Sequence, residues 1–215
     1  MSSALLADLP PVQRLALAYA SSRSRPAILS LLALDARLAA ILRGRREPIA
    51  AQMRLAWWRD MLARPKSEWP AGEPVLEALC AWNDPGGLAA LAEGWEALLA
   101  EDLIPATIAE FVDGRAQAFA SLARELGAHP PEHAAEAARI WALADLAANI
   151  SDGAEHDLVV EYGRRLAKPP RLSPSLRPLA VLAGLGAVAL AEGGLSLLAG
   201  PKSALTALRI GMTGR

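Results

Sequence analysis

The sequence is poor in the residues that build disulfide frameworks, zinc sites and β-sheets. Cys80 is the one cysteine among 215 residues, so no internal disulfide forms and the fold does not require an oxidising compartment. Of three histidines, His129 and His133 flank two prolines and do not share one continuous helix, which argues against a zinc pair. Valine, isoleucine, threonine and aromatic residues are scarce, which leaves little strand-forming material.

Strong charge and a secretory signal are also missing. The net charge is −1 and the pI about 6.3, so we expect no nucleic-acid partner. The segment 1–9 lacks a basic region and an unbroken apolar run, which predicts a cytoplasmic protein. The uncharged run 179–191 is shorter than the roughly 20 residues that span a bilayer, which favours a core helix. Peripheral contact with the inner membrane stays open as an alternative.

What the chain does contain is helix-forming material. Hydrophobic residues make up 53 % of the sequence, and alanine and leucine dominate them. Prolines stand before runs of helical spacing, where a first turn tolerates them. We find no repeat and no linker, so we expect one all-α domain over 1–215. The predicted helices cover roughly 10–21, 25–43, 48–63, 74–82, 85–100, 106–127, 131–150, 154–167, 175–198 and 202–210.

Two of these helices carry acids on apolar faces. In the second helix, Asp35 interrupts a face formed by Ile28, Leu31, Leu32, Leu38 and Leu42. A buried acid needs a partner, so Asp35 either pairs with Arg54 or Arg59 across a bundle or binds a ligand. For Asp145 and Asn149, the alternatives are a polar layer inside the bundle and a ligand site.

Six motifs occur in an order that points to a known family. They are 25–38 with its Leu34-Asp35-Ala36-Arg37, 52–60 with Trp57-Trp58-Arg59-Asp60, Glu93-Gly94-Trp95-Glu96, Gly114-Arg115-Ala116-Gln117-Ala118-Phe119, Trp141-Ala142-Leu143-Ala144-Asp145 and Leu176-Arg177-Pro178-Leu179. Each motif alone is weak. Together, over about 19–186, they resemble the squalene and phytoene synthases, which join two prenyl diphosphates head to head.

The resemblance implies a fold, a cofactor and a set of site residues. The fold is a helical bundle of the isoprenoid synthase type with a central apolar cavity. The cofactor is magnesium, which carboxylates on two facing helices hold against a prenyl diphosphate. The implied metal ligands are Asp35, Asp145, Asn149 and Asp152, the last three sharing a face at i, i+4 and i+7. The implied diphosphate-binding residues are Arg23, Arg25, Arg54 and Arg59.

The sequence departs from the family pattern at the metal site. An Asp-x-x-x-Asp motif beginning at Asp35 would place its second acid at position 39, which is Ala39, and a later acid position is Gly153. We therefore expect weakened or lost catalysis. The chain would be a pseudoenzyme, similar to the branch of the family that helps to assemble respiratory complex I. It would bind a prenyl or lipid-like ligand or a protein partner.

Two alternatives stay open at this point. The first is an active, magnesium-dependent prenyl transferase of isoprenoid or carotenoid biosynthesis, since Asp35 and Asp145 are retained. The cluster Arg43, Arg45 and Arg46 is either a solvated loop or a contact for a diphosphate or an anionic membrane surface.

Overall fold

The computed structural model describes residues 2–44, 48–166, 168–194, 196–198 and 200–214. Within these ranges the chain forms α-helices and short 3-10 turns, and no β-strand occurs, so the predicted all-α class is confirmed. The helices are α1 Ser2–Ala7, α2 Pro11–Leu17, α3 Arg25–Arg43, α4 Pro48–Leu62, α5 Pro74–Leu79, α6 Ala89–Ala97, α7 Pro105–Glu125, α8 Pro131–Ala147, α9 Gly153–Arg164, α10 Arg177–Ala191 and α11 Gly200–Thr213.

Proline marks the first residue of five helices. These are α2, α4, α5, α7 and α8, which begin at Pro11, Pro48, Pro74, Pro105 and Pro131. The first residue of a helix has no intrahelical use for its N–H, and the fixed φ of proline suits that position. The use of proline as a helix-start signal is therefore confirmed at these positions, but Pro85 precedes the 3-10 turn Gly86–Leu88 and α6 begins only at Ala89.

The end of α8 corrects one prediction about the candidate metal ligands. The helix ends at Ala147 rather than near residue 150. Asp152 lies outside it as the N-cap of α9, where its carboxylate accepts hydrogen bonds from the N–H groups of Ala154 and Glu155 at 2.9 and 3.0 Å. The prediction that Asp145, Asn149 and Asp152 share one helix face is therefore wrong.

Helices α6, α7, α8 and α10 build the centre of the molecule. The most extensive helix packing joins α7 to α8 and α6 to α7, and α10 packs on α8 and α11. Between α7 and α8, Gly127 takes a φ of +62°, and the N–H of Ala128 donates to the carbonyl oxygen of Ala123 at 2.8 Å. This left-handed glycine cap ends α7 and lets α8 return along it.

A strongly apolar segment contains α10. Pro174–Ala191 has a mean hydropathy of 1.5 and is long enough to cross a membrane, but 61 % of it is buried by protein. Val181, Leu182 and Ala183 have no exposed surface. The core helix of a folded domain has the same length and composition, so these two properties do not assign the segment to a membrane.

Two glycines allow α6 and α7 to cross closely. A Cβ atom at Gly94 would lie 3.0 Å from the carbonyl oxygen of Glu110, and one at Gly114 would clash with the carbonyl oxygen of Ala90. The residues that follow these glycines are Trp95 and Arg115. The close crossing therefore brings the indole of Trp95 near the guanidinium of Arg115, whose Cζ lies 5.3 Å from the ring centroid.

We expect Gly114→Ala to destabilise the fold, because the added methyl group meets backbone that has no room to move. Overpacking of this kind costs about 1–3 kcal/mol, against a gain of up to about 1 kcal/mol in helix propensity. Gly153→Ala is the matched control, because nothing lies within 4 Å of a Cβ placed there. Urea unfolding measures both variants, and equal stabilities would contradict the close crossing.

Candidate functional site

The candidate site is built around a buried cation in the middle of α7. Arg115 has no exposed side-chain surface. It interrupts an apolar helix face formed by Ile108, Phe111, Val112, Phe119 and Leu122, all of them buried. A charged group in such a position is costly to desolvate, so its surroundings must compensate for the lost water.

Asp35 of α3 provides the first carboxylate. Its Oδ1 accepts from Nε and Nη2 of Arg115 at 3.2 and 3.0 Å, and its Oδ2 accepts from Nη2 at 3.1 Å. The indole N–H of Trp95 donates to Oδ1 at 2.9 Å, and the amide of Gln13 donates to Oδ2 at 3.3 Å. Both carboxylate oxygens are therefore occupied by donors from three other helices.

Asp145 of α8 provides the second carboxylate. Its Oδ2 accepts from Nη1 and Nη2 of Arg115 at 3.0 and 3.1 Å. The side chain of Asp145 is 23 % exposed, whereas that of Asp35 is 1 % exposed. The cluster of Asp35, Arg115 and Asp145, called the buried triad below, thus reaches solvent only through Asp145.

Three aromatic rings surround the guanidinium of the buried triad. The Cζ atom of Arg115 lies 4.2 Å from the ring centroid of Trp141, 4.8 Å from that of Phe111 and 5.3 Å from that of Trp95. Cation–π contacts are strongest where water is excluded. The rings therefore stabilise the charge and also separate it from solvent.

The protonation equilibria of the buried triad reflect this enclosure. Burial raises the pKa of the Asp35 carboxyl above its ordinary value, although Arg115 acts in the opposite direction. Burial also acts to lower the pKa of Arg115, but the carboxyls of Asp35 and Asp145 outweigh it and the pKa lies above its usual value. Arginine keeps its proton at every physiological pH, so the site contains a permanent cation.

An open cleft of about 600 Å³ lies beside the triad. Its walls are mainly apolar, and they include Asp145 of the buried triad and Trp95, the indole that donates to Asp35. The other lining residues are Ala39, Leu42, Arg43, Pro48, Leu98, Leu99, Ala100, Glu101, Leu103, Thr107, Phe111, Leu146, Asn149, Ile150, Ser151, Asp152 and Glu155. In the part of the chain that the structure describes, four carboxyl groups and the guanidinium of Arg43 therefore face the cleft.

The residues present do not fit a magnesium ion of the kind that the family resemblance implies. Both oxygens of Asp35 already accept hydrogen bonds, and Oδ2 of Asp145 is bound to Arg115. The amide nitrogen of Asn149 donates to the backbone oxygen of Asp145 at 2.7 Å. In the described ranges, no three acids, histidines or cysteines are arranged to hold a metal ion.

The arginines predicted to bind diphosphate do not line this cleft. Arg23 lines a separate cavity, and Nη1 of Arg25 donates to the carbonyl oxygen of Leu17 at 2.9 Å. Arg54 is exposed on α4. Arg59 forms ion pairs with Glu96 at 2.7 Å and with Asp60 at 3.1 Å. The structure thus scatters these four residues.

The partner of Asp35 also differs from the one expected. Sequence reasoning proposed Arg54 or Arg59, but the guanidinium that binds Asp35 belongs to Arg115. Arg45 and Arg46 of the predicted basic cluster lie outside the described residues. Arg43 is exposed and lines the cleft.

The sequence pattern alone did not identify Arg115, Trp95 and Gln13 as a connected set. The signal for Arg115 was nevertheless present, since it is a charge on an otherwise apolar helix face, as Asp35 is. Gln13 is 3 % exposed and precedes the buried Ala16 and Leu17 of α2 by three and four residues, so it too interrupts an apolar face. Because buried polar groups need partners, these polar residues on apolar helix faces could have been predicted to contact one another.

Comparison with family models, with curated proteins and with solved structures finds no match to this chain. The resemblance to squalene and phytoene synthases therefore depends on the motifs alone, and it stays a prediction.

We expect Arg115→Met to destabilise the protein strongly, because it leaves the buried carboxyl of Asp35 without its cation. Breaking a buried ion pair from one side costs about 3–5 kcal/mol. The matched control is Arg139→Met, since the ion pair of Arg139 with Asp113 is exposed and such pairs contribute less than about 1 kcal/mol. Chemical denaturation followed by circular dichroism measures both variants.

The double variant Asp35→Asn/Arg115→Met separates charge from packing. Since it removes the charge of both partners, we expect it to be more stable than Arg115→Met alone. A double variant that is less stable than the single one would show that the guanidinium acts through its packing volume, and would contradict the electrostatic account.

Proposed function

We propose that the chain is a squalene/phytoene synthase-like protein without catalysis, whose cleft binds a prenyl or other lipid-like molecule. The proposal includes an isoprenoid synthase type of bundle, in which this cleft corresponds to the central cavity. The observation that carries it is the position of Arg115. Its guanidinium lies between Asp35 and Asp145, the two acids from which the family resemblance predicts magnesium binding.

The charge of the site supports the loss of diphosphate chemistry. Ionisation of a prenyl diphosphate requires several positive charges near the leaving group, and magnesium ions supply them in such reactions. In the buried triad one guanidinium faces two carboxyl groups, so no net positive charge remains. The cleft rim adds the acids Glu101, Asp152 and Glu155. Among the described residues of the cleft, a diphosphate would therefore meet more carboxyl groups than cations.

The shape of the cleft supports an apolar ligand. Ligand sites are commonly 300–1,000 Å³, a range that includes the cleft at about 600 Å³. Leu98, Leu99, Leu103, Leu146 and Ile150 offer aliphatic surface to an occupant. A neutral prenyl chain buries apolar area there without bringing a charge to the acidic rim.

We expect farnesol to bind the protein and farnesyl diphosphate to bind no more tightly, with or without magnesium. Titration followed by tryptophan fluorescence measures this, because Trp95 lines the cleft. Leu99→Gln/Ile150→Gln should weaken farnesol binding about tenfold by removing apolar contact. The control Leu208→Ser/Met212→Ser changes exposed side chains of α11 that do not line the cleft, and should leave binding unchanged.

Two results would overturn the proposal. Magnesium-dependent binding of farnesyl diphosphate, followed by release of a joined prenyl product, would establish the active transferase instead. Absence of binding to both farnesol and farnesyl diphosphate would contradict a lipid-like ligand and would favour a protein partner, as for an assembly factor.

A further inference from the structure

The outer face of α11 presents a row of apolar side chains to solvent. Leu205 is 66 % exposed, Leu208 50 % and Met212 71 %. Their spacing of three and four residues places them on one side of the helix. The opposite side, with Ala207 and Ile210, is buried against the protein. We call Leu205, Leu208 and Met212 the α11 stripe.

A basic cavity of about 690 Å³ lies beside the inner edge of α11. Four cationic side chains line it: Arg164, Lys168, Arg171 and Arg209. The other lining residues are uncharged, and they include Ile140, Leu166, Val188, Leu190 and the prolines 169 and 170. The cavity thus combines positive charge with apolar wall, the reverse of the acidic cleft.

The four cations are not used by the fold. None forms an ion pair with a carboxylate in the part of the chain that the structure describes, and all four are exposed. Arg164 makes one long hydrogen bond, in which its Nε donates to the carbonyl oxygen of Leu190 at 3.4 Å. Their charge is therefore available to an anion.

The α11 stripe and the basic cavity are continuous. Arg209 lines the cavity and follows Leu205 by four residues, so the two side chains are neighbours on the helix surface. The sequence of α11 from Gly200 to Thr213 contains no aspartate or glutamate. An occupant that covers the stripe therefore meets positive charge at its edge and no repelling carboxylate from the same helix.

We propose that the α11 stripe and the basic cavity form a docking surface for an anionic lipid bilayer. The stripe enters the boundary between headgroups and acyl chains, and the cavity receives a phosphate headgroup. Amphipathic helices with apolar and basic faces bind membranes in this way, and basic residues draw them to anionic leaflets. The inference is independent of the ligand proposed for the acidic cleft.

The test is flotation of the full chain with vesicles of phosphatidylcholine alone and of phosphatidylcholine mixed with phosphatidylglycerol. We expect binding to the mixed vesicles that decreases as salt is added, because salt screens the attraction. Arg171→Gln/Arg209→Gln should weaken it about thirtyfold at low salt, given the usual contribution of each basic residue at an anionic surface. Leu208→Ser/Met212→Ser should weaken it about tenfold.

Two matched controls locate the surface. Arg54→Gln/Arg64→Gln removes the same charge from exposed positions outside the basic cavity. Ile49→Ser/Met53→Ser removes two apolar side chains of α4 that are 74 % and 69 % exposed. We expect both controls to bind like the unaltered protein. Circular dichroism and a thermal melt verify that every variant folds, which the exposure of the changed side chains favours.

Each other outcome overturns the proposal. Equal binding to both vesicle types would show that the cations do not contribute to binding. Absence of binding to either type would show that the surface does not dock on a bilayer. Equal losses in the control variants would move the contact away from α11. Farnesol titration of the α11 variants separates this result from the cleft, because loss of vesicle binding with farnesol binding intact concerns the docking surface alone.

Discussion

The ion pairs of Arg115 constrain the arrangement of the central helices more than any other single contact. Taking a guanidinium out of water costs several kcal/mol of free energy. If any of its partners is missing, part of its charge stays uncompensated in the core. The required partners come from different elements: Asp35 from α3, Asp145 from α8 and Trp95 from α6. Apolar contacts permit helices to slide, whereas these hydrogen bonds fix distance and direction together. The triad therefore determines which faces of the helices meet.

The same contacts determine the chemistry that remains to the cleft. A metal ion could bind Asp35 only if Arg115 gave up its hydrogen bonds to that carboxylate. The guanidinium would then lie among Trp141, Phe111 and Trp95 without the charge of Asp35 to compensate it. Both steps are unfavourable, so the triad opposes metal binding more effectively than the missing carboxylate at Ala39 alone. This is the physical reason for preferring an apolar, neutral ligand over a diphosphate in the adjoining cleft.

The sequence was sufficient for most of the helices and for the burial of Asp35, but it predicted neither α1 nor the partner of Asp35. Proline positions and apolar spacing are local properties, and they placed most helices within a few residues. Helix pairing is a property of the tertiary fold: α3 packs on α4, α6 and α7, and the guanidinium that meets Asp35 is that of Arg115 on α7. The error at Asp152 has a local cause. Its carboxylate accepts a hydrogen bond from the N–H of Glu155 and so caps the start of α9, whereas Asp145 lies on α8.

Net charge illustrates the same limit. A value of −1 for the whole chain predicts no overall field that would attract a polyanion, yet charge is strongly separated once the chain folds. Arg164, Lys168 and Arg171 are close in sequence, but Arg209 joins them only because α11 packs on α10. The acidic cleft and the basic cavity share no lining residue. The neutral ligand and the anionic surface that we propose therefore use separate groups and do not compete for the same side chains.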